Sequence, residues 1–501
     1  MKLRHFAFVW VLLLSAGVAA QDKVVKHYGD LITPDDLKEY LSILASDAME
    51  GRETGTRGQK MAAAFISHHF DELGLKAPLN ESFYQPFELY SNVPGEIYLT
   101  AGGAKFHNYE DIVYFGKDDS GGEVTVPVVF AGKGRSEDFN QLDVAGKAVL
   151  IKLGAEDDYR AAVSLARGKK AQMVFILNTQ KPEEFKEYAS QFRSFLSEGR
   201  LSLKKPEISH KSEGIFFVAP VVAEKILNTT LDKLSMAWGA SSKNSSLKKI
   251  KPGNVFYKTS VEIKTIKTEN VLGYLEGTDK KDEVIVITAH YDHIGKNTQG
   301  RGDLINNGAD DDGSGTVAVM QLAKVFAQAK KDGKGPRRSI LFMTVTAEEK
   351  GLLGSEYYTH NPVYPLDKTV VNLNIDMIGR RDEQHKDSAP YVYVIGADKL
   401  STELHKVSES VNKKYTNLVF DYTYNDQDHP ARLYYRSDHW NFAQKNIPII
   451  FYFDGIHEDY HLPSDEVEKI EFDLLTARTQ CIFYTAWEIA NRDERIVPDA
   501  K

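Results

Sequence analysis

Histidine and carboxylate residues follow the predicted strands of the second half of the chain, at the points where those strands end. His290 and Asp292 come directly after one apolar run, Glu348 and Glu349 after the next, and Asp376 after a third. Because ligands bind beyond the carboxyl ends of the strands in an open α/β sheet, we expect these side chains to meet at one sheet edge. Two loops add groups of the same kind, namely Asp310, Asp311 and Asp312 in one and His457, Tyr460, His461 and Asp465 in the other.

These residue types suit a metal-dependent hydrolysis. Imidazole nitrogens and carboxylate oxygens together bind zinc in open catalytic sites. Two histidines and three carboxylates suffice for two metal ions when one carboxylate bridges them, and paired ions can hold the attacking and leaving oxygens between them. Activation of water also needs a general base, and Glu348, beside Glu349, could take a proton from water and pass it to a leaving amine. Asp292, two residues after His290, could orient that imidazole.

The elements that must position these groups form an alternating β/α pattern from about residue 255 onward. We predict strands at 284–288, 339–346, 369–375, 391–395 and 447–453, and helices at 314–330, 400–414, 437–445 and 468–491. Most of these strands are near-continuous apolar runs, which is typical of strands buried on both faces. The pattern predicts an α/β fold with a mostly parallel central sheet and helices on both faces.

The chain is long enough for two domains, since 501 residues exceed one ordinary hydrophobic core. Residues 33–75 read as helices, with Thr33 as N-cap and Pro34 at the first helical position. Between about 98 and 254, short β-rich runs separated by glycines predict a β-rich α/β insert without a catalytic constellation. We therefore predict a discontinuous domain, 21–97 and 255–501, interrupted by the insert 98–254.

The first 20 residues are typical of a secretory signal peptide. Lys2 and Arg4 precede an apolar run from Phe6 to Leu14, and the small residues that follow end at Ala20. Cys481 is the one cysteine, which excludes a disulfide framework within the chain. An exported chain without disulfides favours a secreted or periplasmic protein of the bacterial envelope, with no stable membrane insertion after cleavage.

Composition and charge argue against a disordered chain and against a nucleic-acid-binding protein. With 25 Phe and 25 Tyr and 27% charged residues, the chain is too rich in aromatic side chains to be disordered throughout. Its net charge is −9, and no long basic block stands out. A nucleic-acid partner is therefore not expected.

Taken together, the motifs resemble the M28 family of zinc peptidases, which includes bacterial aminopeptidases. The matching stretches are 290–295 (HYDHIG), 308–311 (GADD), 348–355 (EEKGLLGS), 374–379 (NIDMIG), 437–439 (SDH) and 460–465 (YHLPSD). The N-terminal stretch 44–58 also looks like the usual start of such enzymes. Residues 98–254 are similar to the protease-associated domain that is often inserted in this family.

The resemblance implies a role for each matching residue. His290 and Asp376 would bind different zinc ions, and Asp310 would bridge the two ions, with a cis peptide to Asp311. Glu349 and His461 would each complete the shell of one ion. Further roles are implied for Glu348 as the general base and Tyr460 as a group that stabilises the tetrahedral intermediate.

The leading hypothesis is a secreted two-zinc aminopeptidase of the discontinuous domain, acting on peptides with a free N-terminus. Three alternatives stay open. A carboxypeptidase or dipeptidase would use the same metal ions with different pocket residues, and a glutaminyl cyclase of the same fold would use one zinc ion. A non-catalytic binding protein would have kept the fold and lost the metal ions.

Overall fold

The computed structural model describes residues 22–140, 142–154, 157–197, 199–210, 214–239, 247–297, 300 and 302–499. The predicted signal peptide, 1–20, lies outside these ranges. Over the described ranges, no helix is both long and apolar enough to cross a lipid bilayer. The chain divides into an inserted unit, Leu89–Ile266, and a larger unit formed by the residues up to Glu88 and from Lys267 onward.

Strands and helices alternate along most of the described chain. The strands are β1 (Tyr84–Pro94), β2 (Tyr98–Ala101), β3 (Ala104–His107), β4 (Ile112–Phe115), β5 (Val124–Phe130), β6 (Ala148–Lys152), β7 (Met173–Leu177), β8 (Ile215–Val218), β9 (Gly253–Lys258), β10 (Val261–Leu275), β11 (Lys280–His290), β12 (Arg338–Val345), β13 (Thr369–Ile375), β14 (Tyr391–Ile395), β15 (Val419–Asp421) and β16 (Ile449–Phe453). The α-helices are α1 (22–29), α2 (Pro34–Leu44), α3 (Arg57–Glu72), α4 (Ser136–Phe139), α5 (Tyr159–Gly168), α6 (Pro182–Leu196), α7 (Pro220–Leu227), α8 (Leu231–Gly239), α9 (Gly315–Lys331), α10 (Leu353–His360), α11 (Thr402–Tyr415), α12 (His439–Ala443) and α13 (Phe472–Asn491).

The larger unit is built on a sheet in the order β1-β10-β12-β11-β13-β16-β14-β15. Its centre is parallel, since β12, β11, β13 and β16 all run in one direction. Antiparallel pairing occurs where β10 joins β12 and where β14 joins β16. The carboxyl ends of the four central strands therefore lie at one edge of the sheet.

Both faces of this sheet are buried. Along β11, Ile285 and Ile287 pack into one core, whereas Val284 and Val286 pack into another. This alternation follows from the two-residue period of a strand. Helices α2, α3, α9 and α13 cover the first face, and α10 and α12 cover the second. The predicted α/β fold, with a mostly parallel sheet between two helical layers, is confirmed.

Helix α2 begins where the sequence indicates. The side chain of Thr33 accepts a hydrogen bond from the backbone nitrogen of Asp36 at 3.2 Å, and Pro34 occupies the first turn. Leu37, Leu41 and Leu44 form its buried face. The cap satisfies one of the backbone donors that a helix start leaves free.

The inserted unit has its own sheet, in the order β3-β2-β9-β5-β6-β7-β8-β4. Strands β5, β6, β7 and β8 are parallel, and a separate core lies between this sheet and its helices. The observed unit begins nine residues before the predicted position 98 and ends twelve residues after the predicted 254. Both boundaries fall inside long strands, β1 and β10, and no change in amino-acid composition marks them in the sequence.

Candidate metal centre

His290 and Asp376 come from two neighbouring parallel strands. His290 is the last residue of β11, and Asp376 directly follows β13. The imidazole Nε2 of His290 lies 3.5 Å from a carboxylate oxygen of Asp376 and 3.9 Å from one of Glu348, which follows β12. These three residues form one cluster able to hold a metal ion. The expectation that His290 and Asp376 bind different ions is therefore wrong, because the ends of β11 and β13 bring both side chains to the same cluster.

A second cluster lies around Glu349. His293 Nδ1 is 2.9 Å from Glu349 Oε1, and His461 Nε2 is 3.2 Å from Glu349 Oε2. Asp311 completes the group, with His461 Nε2 at 3.0 Å and His293 Nδ1 at 3.7 Å from its Oδ2. The structure therefore brings two imidazoles and two carboxylates together here.

Asp311 is the residue that joins the two clusters. Its Oδ1 is 3.3 Å from His290 Nε2, and its Oδ2 faces His461. The family resemblance implied that Asp310 would occupy this bridging position, with a cis peptide to Asp311, and both expectations are wrong. The cis peptide bond joins Asp311 to Asp312 instead.

Asp310 points away from both clusters. Its Oδ1 accepts a hydrogen bond from the backbone nitrogen of Gly379 at 2.7 Å, and its Oδ2 lies 3.2 Å from His457 Nε2. The backbone nitrogens of Asp310 and Asp311 both donate to the carboxylate of Asp465, at 3.1 Å. These contacts turn the loop so that the second aspartate, not the first, faces the histidines.

Asp312 ties the same loop to the sheet edge. Its Oδ2 accepts a hydrogen bond from the His290 backbone nitrogen at 3.1 Å. Its Oδ1 accepts from the backbone nitrogens of Gly315, at the start of α9, and Met377, after β13. One buried carboxylate thus fixes the positions of the three segments that carry His290, Asp311 and Asp376.

Arg52 supports the loops from the opposite side. Its guanidinium is fully buried and donates to the backbone carbonyls of Leu44, Tyr291 and Gly308 at 2.8 to 3.0 Å. The turn that carries it needs Gly51, whose φ is +69° and whose missing Cβ would lie 2.6 Å from the Gly295 carbonyl. The N-terminal segment therefore holds both metal-site loops by hydrogen bonds between distant parts of the chain.

Asp292 contacts both His290 and Glu348. The nearest group to His290 Nδ1 is the backbone carbonyl of Asp292, at 3.1 Å, whereas its carboxylate lies 3.9 Å away. That carboxylate accepts hydrogen bonds from the Glu348 backbone nitrogen at 3.2 Å and from Thr54 Oγ1 at 2.8 Å. The carboxylate therefore fixes the Glu348 loop, and the role of Asp292 in orienting the imidazole stays a prediction.

The donor atoms of the second cluster fit a bound cation. His293 Nδ1, His461 Nε2, Asp311 Oδ2 and Glu349 Oε1 are buried and have no hydrogen-bond partner among the described residues. These atoms lie close to one another, but they are not aligned as donors and acceptors in hydrogen bonds. Buried polar groups are normally paired, so converging unpaired nitrogens and carboxylate oxygens indicate a ligand. Nitrogen and carboxylate oxygen are the donors that zinc accepts.

Burial raises the pKa of Glu348 well above the ordinary value of a glutamate. The imidazole of His290 opposes this shift, while the carboxylates of Asp376 and Glu349 add to it. A carboxylate whose charged form is destabilised has an increased affinity for a proton. This is the property that a general base needs when it must keep the proton until the leaving group accepts it.

The pKa of Asp311 shifts in the opposite direction, below the ordinary value of an aspartate. Burial raises its pKa, but the imidazoles of His290 and His461 outweigh burial and hold the pKa well below the ordinary value. For His461, burial lowers the pKa, but Asp311 and Glu349 raise it to about 10. The bridging carboxylate is therefore ionised at neutral pH, as a metal ligand must be.

Two cavities open beside the clusters. A narrow one of 30 Å³ reaches His290, Asp311 and Asp376, and a wider one of 630 Å³ reaches Glu349 and His461. The residues that line both cavities are Glu348, Arg436 and Tyr460. Tyr460 is half-buried beside His461, with ring centroids 3.9 Å apart, and burial raises the pKa of its phenol.

The ligands expected from the sequence did not include His293, although its Nδ1 lies 2.9 Å from Glu349 Oε1. The signal that could have found it is its three-residue spacing from His290, which places the two side chains at the end of one strand and in the loop that follows. Two further residues of these types have structural surroundings. Cys481 is buried in α13, and His439 is a buried histidine that binds the Tyr434 carbonyl at 2.8 Å.

Comparison with known proteins points to one peptidase family. Residues 270–486 match the model of peptidase family M28. Aminopeptidase YwaD of Bacillus subtilis (strain 168) is 26% identical over 460 residues, which cover 90% of this chain and 84% of that protein. A glutamate carboxypeptidase 2 homolog of Caenorhabditis briggsae is 23% identical over 464 residues, which cover 79% of this chain and 58% of that protein.

A solved structure has the same fold. The aminopeptidase from Aneurinibacillus sp. strain AM-1 aligns over 95% of this chain and 98% of its own, with a TM-score of 0.51 and 19% identity. Within the chain, the matched region 270–486 carries His290, Asp311, Glu348, Glu349, Asp376 and His461. The part of the chain that forms the candidate metal centre is therefore the part that matches peptidase family M28.

Proposed function

We propose that this chain is an M28 zinc peptidase that holds two zinc ions and releases the N-terminal amino acid of peptides. One observation carries the proposal: Asp311 lies between two clusters of histidine and carboxylate ligands, and Glu348 lies beside both. A carboxylate in this position can bridge paired metal ions, and a neighbouring carboxylate can serve as the base that hydrolysis uses. The family match and the aminopeptidase relative support the same activity.

Five residues would hold the two ions. We assign His290 and Asp376 to one ion, Glu349 and His461 to the other, and Asp311 to both. His293 is a further candidate on the Glu349 side, since its Nδ1 is 2.9 Å from Glu349 Oε1. Zinc in such a site polarises a peptide carbonyl and activates water near neutral pH.

The residues of the chain supply the proton transfers and the orientation. Glu348 would accept a proton from the attacking water at its carboxylate and deliver it to the nitrogen of the departing peptide. Asp292 would hold the backbone nitrogen of Glu348 and so keep the base in place. Tyr460, which lines both cavities, would donate its hydroxyl proton in a hydrogen bond to the oxygen of the tetrahedral carbon.

The relatives favour attack at the N-terminus over attack at the C-terminus. The alignment with the aminopeptidase covers 84% of that protein, whereas the alignment with the glutamate carboxypeptidase 2 homolog covers 58%. We also propose that the inserted unit is of the protease-associated type. From the residues 1–20 we propose that the protein is secreted or periplasmic, where its substrates would be peptides with a free N-terminus.

A substrate panel tests the proposal. Tripeptides with a free N-terminus, the same peptides with an acetylated N-terminus, and peptides with an amidated C-terminus are incubated with the protein before and after chelation. We expect release of the first amino acid from every peptide with a free N-terminus, loss of activity after chelation, and recovery with zinc. Elemental analysis should find close to two zinc ions per chain.

Two results would overturn parts of this proposal. Release of the last amino acid from acetylated peptides would show a carboxypeptidase. Full activity at a reproducible content of one zinc ion per chain would exclude the paired-metal mechanism.

A further inference from the structure

Arg436 is an exposed residue between firmly held neighbours. It follows the turn Leu433–Tyr435, and the next residues, Ser437 and Asp438, are buried. Asn374 donates a hydrogen bond to Ser437 Oγ at 2.8 Å, and Asp438 accepts a hydrogen bond from Ser355. The backbone that carries Arg436 is therefore fixed, although its own side chain is in contact with solvent.

Arg436 lines both cavities of the site. Only three described residues line the narrow cavity at His290 and also the wide cavity at Glu349, and they are Glu348, Tyr460 and Arg436. Glu348 and Tyr460 are the groups that we place next to the bond that is cleaved. Arg436 consequently lies beside the place that the substrate must occupy.

The guanidinium of Arg436 lacks a partner of its own. Within the described parts of the chain it has neither a hydrogen-bond acceptor nor an ion-pair partner. Among the described residues, no other arginine or lysine lines either cavity, whereas Glu356 and His360 of α10 line the wide one. A guanidinium presents several donors in a fixed plane that matches a carboxylate. An unpaired guanidinium at a substrate cavity is thus suited to bind a carboxylate of the substrate.

We propose that Arg436 binds a substrate carboxylate, which makes short peptides with a free C-terminus the preferred substrates. This inference rests on the proposed function, because it places the cleaved bond of the substrate next to Glu348 and Tyr460. The free C-terminal carboxylate of a dipeptide and an acidic side chain after the cleaved bond offer the same chemistry. The experiment separates these two sources.

Three substrates share an N-terminal leucine: leucyl-glycine, leucyl-glycinamide and the amide of leucyl-aspartate. We expect kcat/KM for leucyl-glycine to exceed that for leucyl-glycinamide by about 10- to 100-fold, the usual range for a hydrogen-bonded charge. Arg436→Gln should abolish this ratio, mainly through KM, while hydrolysis of leucyl-glycinamide changes little. If instead the wild type cleaves the aspartate amide faster than leucyl-glycinamide and Arg436→Gln removes that preference, the carboxylate comes from the side chain, and its binding by Arg436 is still supported.

Arg432→Gln is the matched control. Arg432 is four residues away, lies 4.7 Å from the ring of Tyr435, and lines neither cavity. The control removes the same charge and should preserve the substrate ratio. The proposal would be overturned if the wild type prefers neither carboxylate substrate over leucyl-glycinamide, if Arg436→Gln keeps such a preference, or if the variant loses activity equally toward all three substrates.

Binding to an inactive variant separates this inference from the proposed function. Calorimetric titration of Glu348→Gln with leucyl-glycine and leucyl-glycinamide measures recognition without turnover. Adding Arg436→Gln should weaken binding of the free acid by about 10- to 100-fold and leave the amide unaffected. If the wild type cleaves none of the peptides, the proposed function fails, while this binding difference still supports or overturns the role of Arg436.

Discussion

Asp310 and Asp311 are neighbours in the chain with opposite surroundings, so their variants should differ. Asp311 faces His290 and His461, whereas Asp310 binds the Gly379 backbone nitrogen. We expect Asp311→Asn to reduce zinc binding at both positions and to lower kcat at least 100-fold, since a bridging ligand serves both ions. Elemental analysis and turnover, measured at equal protein concentration, check this.

Asp310→Asn is the matched control for that experiment. The amide oxygen can still accept the hydrogen bond from Gly379, so the variant should keep most of its zinc. If Asp310→Asn loses both ions while Asp311→Asn keeps them, the assignment of the bridging residue is wrong.

Substitutions of Glu348 and Glu349 should also have different effects on turnover and zinc content. Glu349 contacts His293 and His461, whereas Glu348 lines both cavities. Glu348→Gln keeps the shape of the side chain and removes the base, so turnover should fall by about 10²–10⁴-fold or more with zinc content unchanged. Glu349→Gln should weaken zinc binding, and added zinc should restore part of the activity. Near-normal turnover of Glu348→Gln would contradict the role of the base.

The N-terminal turn Asp47–Arg52 determines whether the metal-site loops keep their positions. Arg52→Met preserves the length of the buried stem but removes every hydrogen bond to the carbonyls of Leu44, Tyr291 and Gly308. Buried carbonyls without partners are costly, so we expect a loss of about 3 kcal/mol or more in unfolding free energy and weaker zinc binding. Chemical denaturation and zinc titration measure the two effects.

Arg57→Gln is the control for this substitution. Arg57 lies on the solvent side of α3, with its side chain 75% exposed and 3.8 Å from Glu50. Exposed ion pairs contribute little, so stability should change by less than about 1 kcal/mol. Equal effects of the two substitutions would show that Arg52 acts through net charge and not through its buried hydrogen bonds.

The two units of the molecule have separate cores, and only the larger one carries the metal-binding clusters found among the described residues. Chelation should therefore lower the unfolding temperature of the larger unit and leave that of the inserted unit unchanged. A ligand at 100 times its Kd contributes about 2.7 kcal/mol, which corresponds to a shift of about 5 °C for a unit of this size. Differential scanning calorimetry with and without chelator, and after return of zinc, measures this. A shift confined to the other transition would contradict the placement of the site.

The sequence by itself determined the sheet and most of the groups at its edge. The runs of apolar residues that became β11, β12 and β13 are buried on both faces, and burial alone makes such runs recognisable. Because parallel strands end at one edge, His290, Glu348 and Asp376 could be placed together before their distances were known. Their chemistry follows from residue type, so zinc and hydrolysis could be predicted from the same evidence.

The tertiary structure decided which side chains within the loops face the metal centre. The direction of Asp310 and Asp311 depends on Asp465, more than 150 residues further along the chain, which binds their backbone nitrogens. The role of Asp292 depends in the same way on Glu348, whose backbone nitrogen it holds. A loop has no repeating geometry from which side-chain direction could be read, so these orientations are fixed only by contacts between distant residues that the folded chain brings together.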